Sequence, residues 1–584
     1  MQNMVLQNQD IKIDHASTND VLKELYVLTA KGQPFEVVSK IREDISYQAF
    51  VTLPNNLNAM YKAATDTYDD ADFIIFNDER HSFSSLYQQA SEFACALVEQ
   101  YQIGAGDRVT ISMRNYPEWI VAFMAITSIG AIAVPLNAWW RQDEFAQVMA
   151  HCDAKLAIVD DKRYDLLSAC LAKDNTPVII ARPSEAQTAK ALKNVEIFAG
   201  LVAKYQGQAM PSIVVGSDAI ATIFYTSGST GTPKGAVSSH ESILTAINTW
   251  VMLGVSAGVA NTKQNIKPSV DAPAALLTVP LFHVTGCHTL FLLSMIMGRK
   301  TIMMPYWEPE EALRLIEKEK ITYFNGVPTM SMELMNHPNK SKYDLSSLID
   351  VCAGGAARPP EHVRKIYDAF ESGNPSCGYG LTETNALGAV NGPVDYVQKP
   401  NSAGLPTPPI VQVKILDEDN KALAAGEPGE IVIKTMANIL GYWRNPEATE
   451  AAFINGYFRT GDIGSLDEDG FIYIVDRAKD IIIRGGENIS CLEVESSLYK
   501  HALVGEASVF ALPDERLGEV VGAVVYVGNT SAEISESILQ EFVAEHLAKF
   551  KVPSKVWIIN EKLLRLGSGK IDKRTLKETY IKKL

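Results

Sequence analysis

Missing first of all is any pairing among the cysteines. The seven, Cys95, Cys152, Cys170, Cys287, Cys352, Cys377 and Cys491, form no CxxC and no close pair, which excludes a disulfide scaffold and a cysteine-rich zinc module. An excess of positive charge is also lacking. Lys and Arg number 53 against 69 Asp and Glu, a net charge of −16, and a general nucleic-acid surface needs the opposite balance. The first ten residues have neither the basic start nor the apolar run of a secretory leader, so the thiols are expected to be reduced and the protein cytoplasmic. Nor is there an unbroken membrane span. Residues 119–136 carry no charge, but Gly130 and Pro135 interrupt them, and the stretch divides into a buried helix over 118–128 and a strand over 131–134.

What the chain does have is length and apolar content. Its 584 residues, 47% hydrophobic, exceed one core and predict two or more globular domains. The first 50 residues are polar, with one or two helical pieces, and read as an extension whose first ~20 residues are loosely ordered. From about 53 to 201, helices (82–102, 142–151) alternate with apolar strands (108–112, 156–159, 177–181), the rhythm of a layered α/β domain. A helix near 241–253 precedes a Gly/Ala/Asn/Lys stretch, 256–272, that reads as a surface loop. Strands are expected at 275–279, 348–353 and 427–433. A charged cluster at 476–489 then opens a small α+β domain, with helices at 493–501 and 536–547 and strands at 507–512 and 520–527.

The stretch Tyr225–Gly235, YTSGSTGTPKG, concentrates hydroxyls, three glycines and one lysine between two strand-like runs. Glycines at 228, 231 and 235 would let the backbone turn its N–H groups into an anion nest, with Ser227, Ser229, Thr230 and Thr232 as donors and Lys234 as the charge. A polyphosphate suits that chemistry. It is not a Walker loop, because Pro233 precedes the lysine and no Ser or Thr follows it. Other segments are weaker by themselves. His283, ending Pro280-Leu-Phe-His283, reads alone as a core imidazole, and Arg459-Thr-Gly-Asp462 as a turn. Lys570 in Leu566-Gly-Ser-Gly-Lys570 reads as a solvated surface charge.

Taken in order, these segments resemble the adenylate-forming superfamily, and within it the acyl-CoA synthetase or fatty-acid–CoA ligase branch. Seven motifs over about residues 50–580 carry the resemblance. It implies a large layered α/β domain at 51–477 and a small mobile α+β domain at 478–584, joined by a hinge, with residues 1–50 as the extension. It also implies an acid–thiol ligase using ATP, Mg²⁺ and coenzyme A, which makes an acyl-adenylate and then a thioester. Thr226, Ser227, Gly228, Ser229, Thr230, Gly231 and Lys234 would hold phosphates. Gly354, Gly355 and Ala356 would form the adenine turn, with Tyr379 and Gly380 beside the base. Thr382 would bind the α-phosphate and Glu383 the metal.

Asp462 would accept from the ribose hydroxyls, Arg477 would reach ribose or phosphate, and Lys479 would be the hinge. Gly485 and Gly486 would line the thiol's path, and Lys570 would be the catalytic lysine. Leu564-Arg-Leu566 departs from the family's Pro-Arg/Lys-Thr, which puts the local loop conformation in doubt. Amino-acid-activating members carry Asp where this chain has His283, so the implied acid has no α-ammonium. Glycines 286, 326, 354 and 355 would leave room for a medium or long acyl chain. An aromatic or polycyclic acid, another acceptor than coenzyme A, a luciferase-like oxygenase and an inactive nucleotide- or acyl-binding protein stay open as alternatives. So does monomer against homodimer.

Overall fold

The computed structural model describes residues 15–173, 176–189, 194–226, 233–266, 272–528, 534–567 and 569–584. Among them two large sheets face each other across a layer of helices. The eight-stranded sheet has a parallel centre, Ile220–Thr226, Ile132–Pro135, Arg108–Ser112, Leu156–Asp160 and Val178–Ala181, and the nine-stranded sheet has Asp72–Phe76, Lys300–Met303, Ala274–Leu277, Tyr323–Gly326, Asp350–Gly354 and Asn374–Tyr379. One core joins them, with Val109, Ile158 and Phe224 from the first sheet, Ile74 and Leu277 from the second, and Phe83, Phe93, Trp119 and Phe123 from the helices between.

The uncharged stretch over 119–136 lies in that layer. Helix Pro117–Ser128 is buried all round, and strand Ile132–Pro135 continues into the sheet. Strands covered on both faces read as apolar runs, and a helix between two sheets has no polar side. That explains the lack of periodicity.

A third, antiparallel sheet holds Gln412–Leu416, Gly429–Lys434, Tyr457–Leu466 and Ile472–Arg477. Beyond it the small domain folds as the hairpin Glu506–Asp514/Gly518–Tyr526, flanked by Ile482–Arg484 and Lys555–Ile559. Helices Cys491–Tyr499 and Glu536–His546 cover one face and Lys573–Ile581 the other.

Two expectations need correction. The helix that begins at His240 does not stop near 253 but runs to Lys263, so the first part of the 256–272 stretch is helical, and 267–271 lie outside the described residues. Helix Thr18–Leu28 decides this by packing on its far half, with Ala16 N–H donating to Asn261 at 2.7 Å and Lys263 pairing with Glu24 at 2.6 Å. Tertiary partners thus outweigh two helical glycines, each worth only ~1 kcal/mol. By length and composition alone helix His240–Lys263 could cross a membrane, though half of its most apolar window is buried in the fold. The second correction is in the extension, which has one helix and a hairpin, Val37–Arg42 with Ile45–Phe50. Glu43 and Asp44 both take positive φ at its turn, and Tyr47 and Ala49 bury against Met436.

Candidate active site

Strand ends create the site. In the two parallel sheets Thr226, Gly326, Gly354 and Tyr379 are the last residues of their strands, and ligands of open α/β sheets bind outside such carboxyl ends. Thr226 pairs with Lys234 across the antiparallel pair that brackets the glycine-rich loop, its hydroxyl 3.4 Å from the Lys234 carbonyl. Ser227, Gly228, Ser229, Thr230, Gly231 and Thr232 lie outside the described residues. Gly235 does not turn the backbone as expected. It is a strand residue opposite Tyr225, and a Cβ there would stand 2.7 Å from Ile223.

The strand Asn374–Tyr379 leads through Gly380, where a Cβ would meet the Ala386 carbonyl at 2.3 Å, into the short helix Thr382–Thr384. That tight turn sets Glu383 under Tyr442, whose hydroxyl donates to it at 3.0 Å. Lys234 lies over the Tyr442 ring at 5.1 Å. Tyr442 therefore belongs to the site, although its segment, Gly441–Pro446, reads from sequence as structural. Burial raises the Glu383 carboxyl above its ordinary range, against the Tyr442 hydroxyl, Arg477 and Lys234. A half-buried carboxylate with no ion-pair partner among the described residues fits Mg²⁺, which takes one or two carboxylates and completes its shell with phosphate oxygens and water. Among the described residues no cluster of three His, Cys, Asp or Glu offers a cage.

Asp462 is buried in strand Tyr457–Leu466. One of its oxygens accepts from the Tyr379 hydroxyl at 2.7 Å and the other pairs with Arg477 Nε at 3.2 Å. Burial raises its carboxyl, opposed by Arg477 and Tyr379. Each oxygen retains a lone pair for a further donor. Tyr379, expected beside a base, is thus anchored at its hydroxyl end, which leaves the ring as the surface offered. The turn at Gly354, Gly355 and Ala356 is open, Gly355 with φ +76°.

Lys570 reaches this centre from the small domain. Arg565 and Ile571 bridge the base of its loop, Leu566 N–H donates to the Lys570 carbonyl at 2.8 Å, and Gly569 takes φ +82°. The loop forms in spite of its departure from Pro-Arg/Lys-Thr. A Cβ on Gly355 would stand 3.1 Å from Lys570 Cε and 3.3 Å from Nζ, so that glycine is the seat of the lysine rather than room for a substrate. Burial and the Arg477 charge bring the ammonium down to about 8, with Asp462 opposing. His283 is held down to about 3 by burial and then by Lys570. Its imidazole is neutral at pH 7.

The expected acyl space is narrower than four glycines suggest. A Cβ on Gly286 would stand 2.3 Å from the Pro280 carbonyl, and one on Gly326 2.9 Å from Phe324. Both glycines serve close packing, and only Gly354 has ordinary clearance, with Asn325 Oδ1 3.7 Å away. Two of the expected site features lie apart from the centre. Gly485 and Gly486 form a hairpin tip with φ +57° and +91°, Gly485 N–H donating to Leu517 within the small domain. Lys479 is exposed in the turn after Arg477.

Residues 61–443 match the family model described as AMP-binding enzyme, and 493–570 that of the AMP-binding enzyme C-terminal domain. A long-chain-fatty-acid–CoA ligase of Bacillus subtilis is 31% identical over 90% of this chain and 95% of its own length. A feruloyl-CoA synthase of an Amycolatopsis species is 32% identical over 81% of this chain and 89% of its own. Among solved structures, ATP-bound MatB of Rhodopseudomonas palustris superposes with a TM-score of 0.77 at 28% identity, covering 90% of this chain and 99% of that one. With about two thirds of its length matched by one family model and residues 493–570 by its C-terminal companion, this chain belongs to the AMP-binding enzyme family, the adenylate-forming superfamily.

Proposed function

We propose that the acid activated by this AMP-forming acyl-CoA ligase is a medium- or long-chain fatty acid, attacked onto Mg·ATP as its carboxylate and then passed to coenzyme A. The reaction class rests on one observation above the others, the half-buried Lys570 seated over Gly355 beside Asp462, Arg477 and His283. The acid's carboxylate oxygen forms a bond to the α-phosphorus and pyrophosphate leaves; the thiol then displaces AMP. Lys570 would offset charge on the phosphorus, and Thr382 would bind the α-phosphate. Glu383 would hold Mg²⁺, whose charge would offset that of the phosphates. The boundary between large and small domains is placed at 477/478, with Lys479 as the pivot.

For the acid, neutral His283 favours a substrate without an α-ammonium, since no carboxylate stands there to pair with one. The Bacillus relative acts, by its name, on long-chain fatty acids. A specific observation favours the second reading, an aromatic acid. Asn325 spends its Nδ2 on Thr289 at 3.2 Å and leaves Oδ1 buried without a partner among the described residues, an acceptor suited to a ring hydroxyl or amine. Pyrophosphate release across saturated fatty, hydroxylated aromatic and polycyclic acids, with and without coenzyme A, tests both. A preference for aromatic acids that Asn325→Leu abolishes would overturn the fatty-acid choice.

Asp462→Ala is expected to raise KM for ATP far more than KM for the acid, because each charge-assisted hydrogen bond to ribose contributes ~1.5–3 kcal/mol. Equal losses for both substrates would make Asp462 only the anchor of Tyr379 and Arg477.

A further inference from the structure

The lysine loop is fastened to the large domain at a point the chemistry does not touch. Glu333 lies in helix Pro328–Met335, and its Oε2 accepts from Trp307 Nε1 at 2.6 Å, which fixes the carboxylate's orientation. Its Oε1 faces the small domain, where Lys562 Nζ pairs with it and Arg565 Nη2 lies 3.9 Å away. Both cations precede Lys570 on the same loop. Arg565 also donates to the Gly569 carbonyl at 3.0 Å and to the Thr329 hydroxyl, and pairs with Glu506, a buried carboxylate of the small domain. Beside these, Gly567 lies flat on Trp139, where a Cβ would overlap the indole at 1.8 Å.

We propose that Glu333 is a positioning residue, a charge latch by which the large domain holds the Lys570 loop in the adenylating arrangement and which opens for the thiol step. The geometry carries this. Glu333 is 19% exposed and Arg565 22%, so water screens their attraction incompletely, while Lys562 at 53% keeps the contact easy to break. Among the described residues, Arg565 reaches the large domain through Glu333 and the uncharged Thr329 hydroxyl, its other partners lying within its own domain and loop, and Lys562 has no partner besides Glu333. Among them Glu333 is therefore the ionic tie across the boundary, and a turn of the small domain that withdraws the loop must separate it from both cations. A tie present in one arrangement alone shifts the population toward that arrangement by its own strength.

The latch rests on the reading of Lys570, and the experiment separates the two. Single-turnover formation of acyl-adenylate, and conversion of supplied acyl-adenylate with coenzyme A, are measured with the carboxylate giving the fastest pyrophosphate release in the panel above. Glu333→Gln keeps an acceptor for Trp307 and loses the charge. Its adenylation is expected to slow ~3–10-fold, the scale of a partly exposed ion pair, while the thiol step is not slowed. Lys562→Met should add little to Glu333→Gln, because the pair is already broken. Raising ionic strength from ~0.1 M to ~1 M shortens the screening length from ~10 Å to ~3 Å and should slow wild-type adenylation more than that of the variant. Equal slowing of both halves, additive losses in the double variant or unchanged salt dependence would overturn the latch. If it fails while Lys570→Ala still loses adenylation, the site reading stands; normal adenylation by Lys570→Ala removes that reading itself.

Discussion

Lys570→Ala forms acyl-adenylate ~10²–10³ times more slowly than the wild type, the typical loss when one preorganised donor to a developing oxyanion is removed, yet converts supplied acyl-adenylate to thioester at nearly the normal rate. The selectivity follows from position. Lys570 enters the centre on a small-domain loop and stands over Gly355, so its contribution exists only while that loop is inserted. The wild-type enzyme adds a pH signature. The acting form is the ammonium, and burial with Arg477 lowers its proton affinity to about 8. For adenylation, kcat/KM, which reports the free enzyme, therefore falls as pH rises through about 8. Single-turnover kinetics of the separate halves checks both statements. Parallel loss in both halves would give Lys570 a structural role, and a first half indifferent to its removal would return it to the solvated lysine that the bare sequence suggests.

Lys479→Pro has the opposite selectivity. Adenylate forms at close to the normal rate, and the thioester step falls by ~10²-fold or more, equal to about 2.7 kcal/mol of bias between arrangements. Lys479 is exposed between strand Ile472–Arg477 and strand Ile482–Arg484. Its neighbours are tied, Ala478 N–H to the Gly461 carbonyl at 3.0 Å and Asp480 N–H to that of Arg477 at 2.9 Å, while no described hydrogen bond uses its own N–H. Proline thus removes no described hydrogen bond from this arrangement. It fixes φ near −65° and so removes the rotation that would carry the open hairpin tip at Gly485 and Gly486 toward the acyl group. The measurement is thioester formation from isolated acyl-adenylate and coenzyme A. Normal conversion by the proline variant would exclude Lys479 as the pivot.

The chemistry of the centre was legible because it is written in short runs. Tyr379, Glu383, Asp462, Arg477 and Lys570 each occur within a short run that resembles a motif of the adenylate-forming superfamily, although Asp462 and Lys570 read alone as a turn residue and a solvated charge, and the structure brings them around the strand ends. The alternating apolar strands of 108–181 were legible for a similar reason, since a strand covered on both faces needs no partner-specific pattern. Tyr442 was overlooked. Its segment reads as structural, and only the approach of Glu383, 59 residues away, gives the hydroxyl a task. The glycines at 286 and 326 misled for the same reason, because a missing side chain signals either space or close packing and the neighbour decides which.

By itself, then, the sequence determined the layered α/β class and the small second domain, and its resemblance to the adenylate-forming superfamily pointed to the candidate nucleotide-binding groups. The first two follow from local periodicity, the third from short motifs met in the family's order. Only the tertiary structure decided that helix His240–Lys263 continues under the N-terminal helix, that Gly355 seats Lys570, that Asp462 holds both Tyr379 and Arg477, and that Glu333 grips Lys562 from 229 residues away. The physical reason is range. Backbone propensity and hydrogen-bonding capacity act over a few residues of chain, whereas burial, which desolvates Lys570 and His283 and moves their proton affinities, depends on surfaces that meet only once the sheets and the small domain have packed.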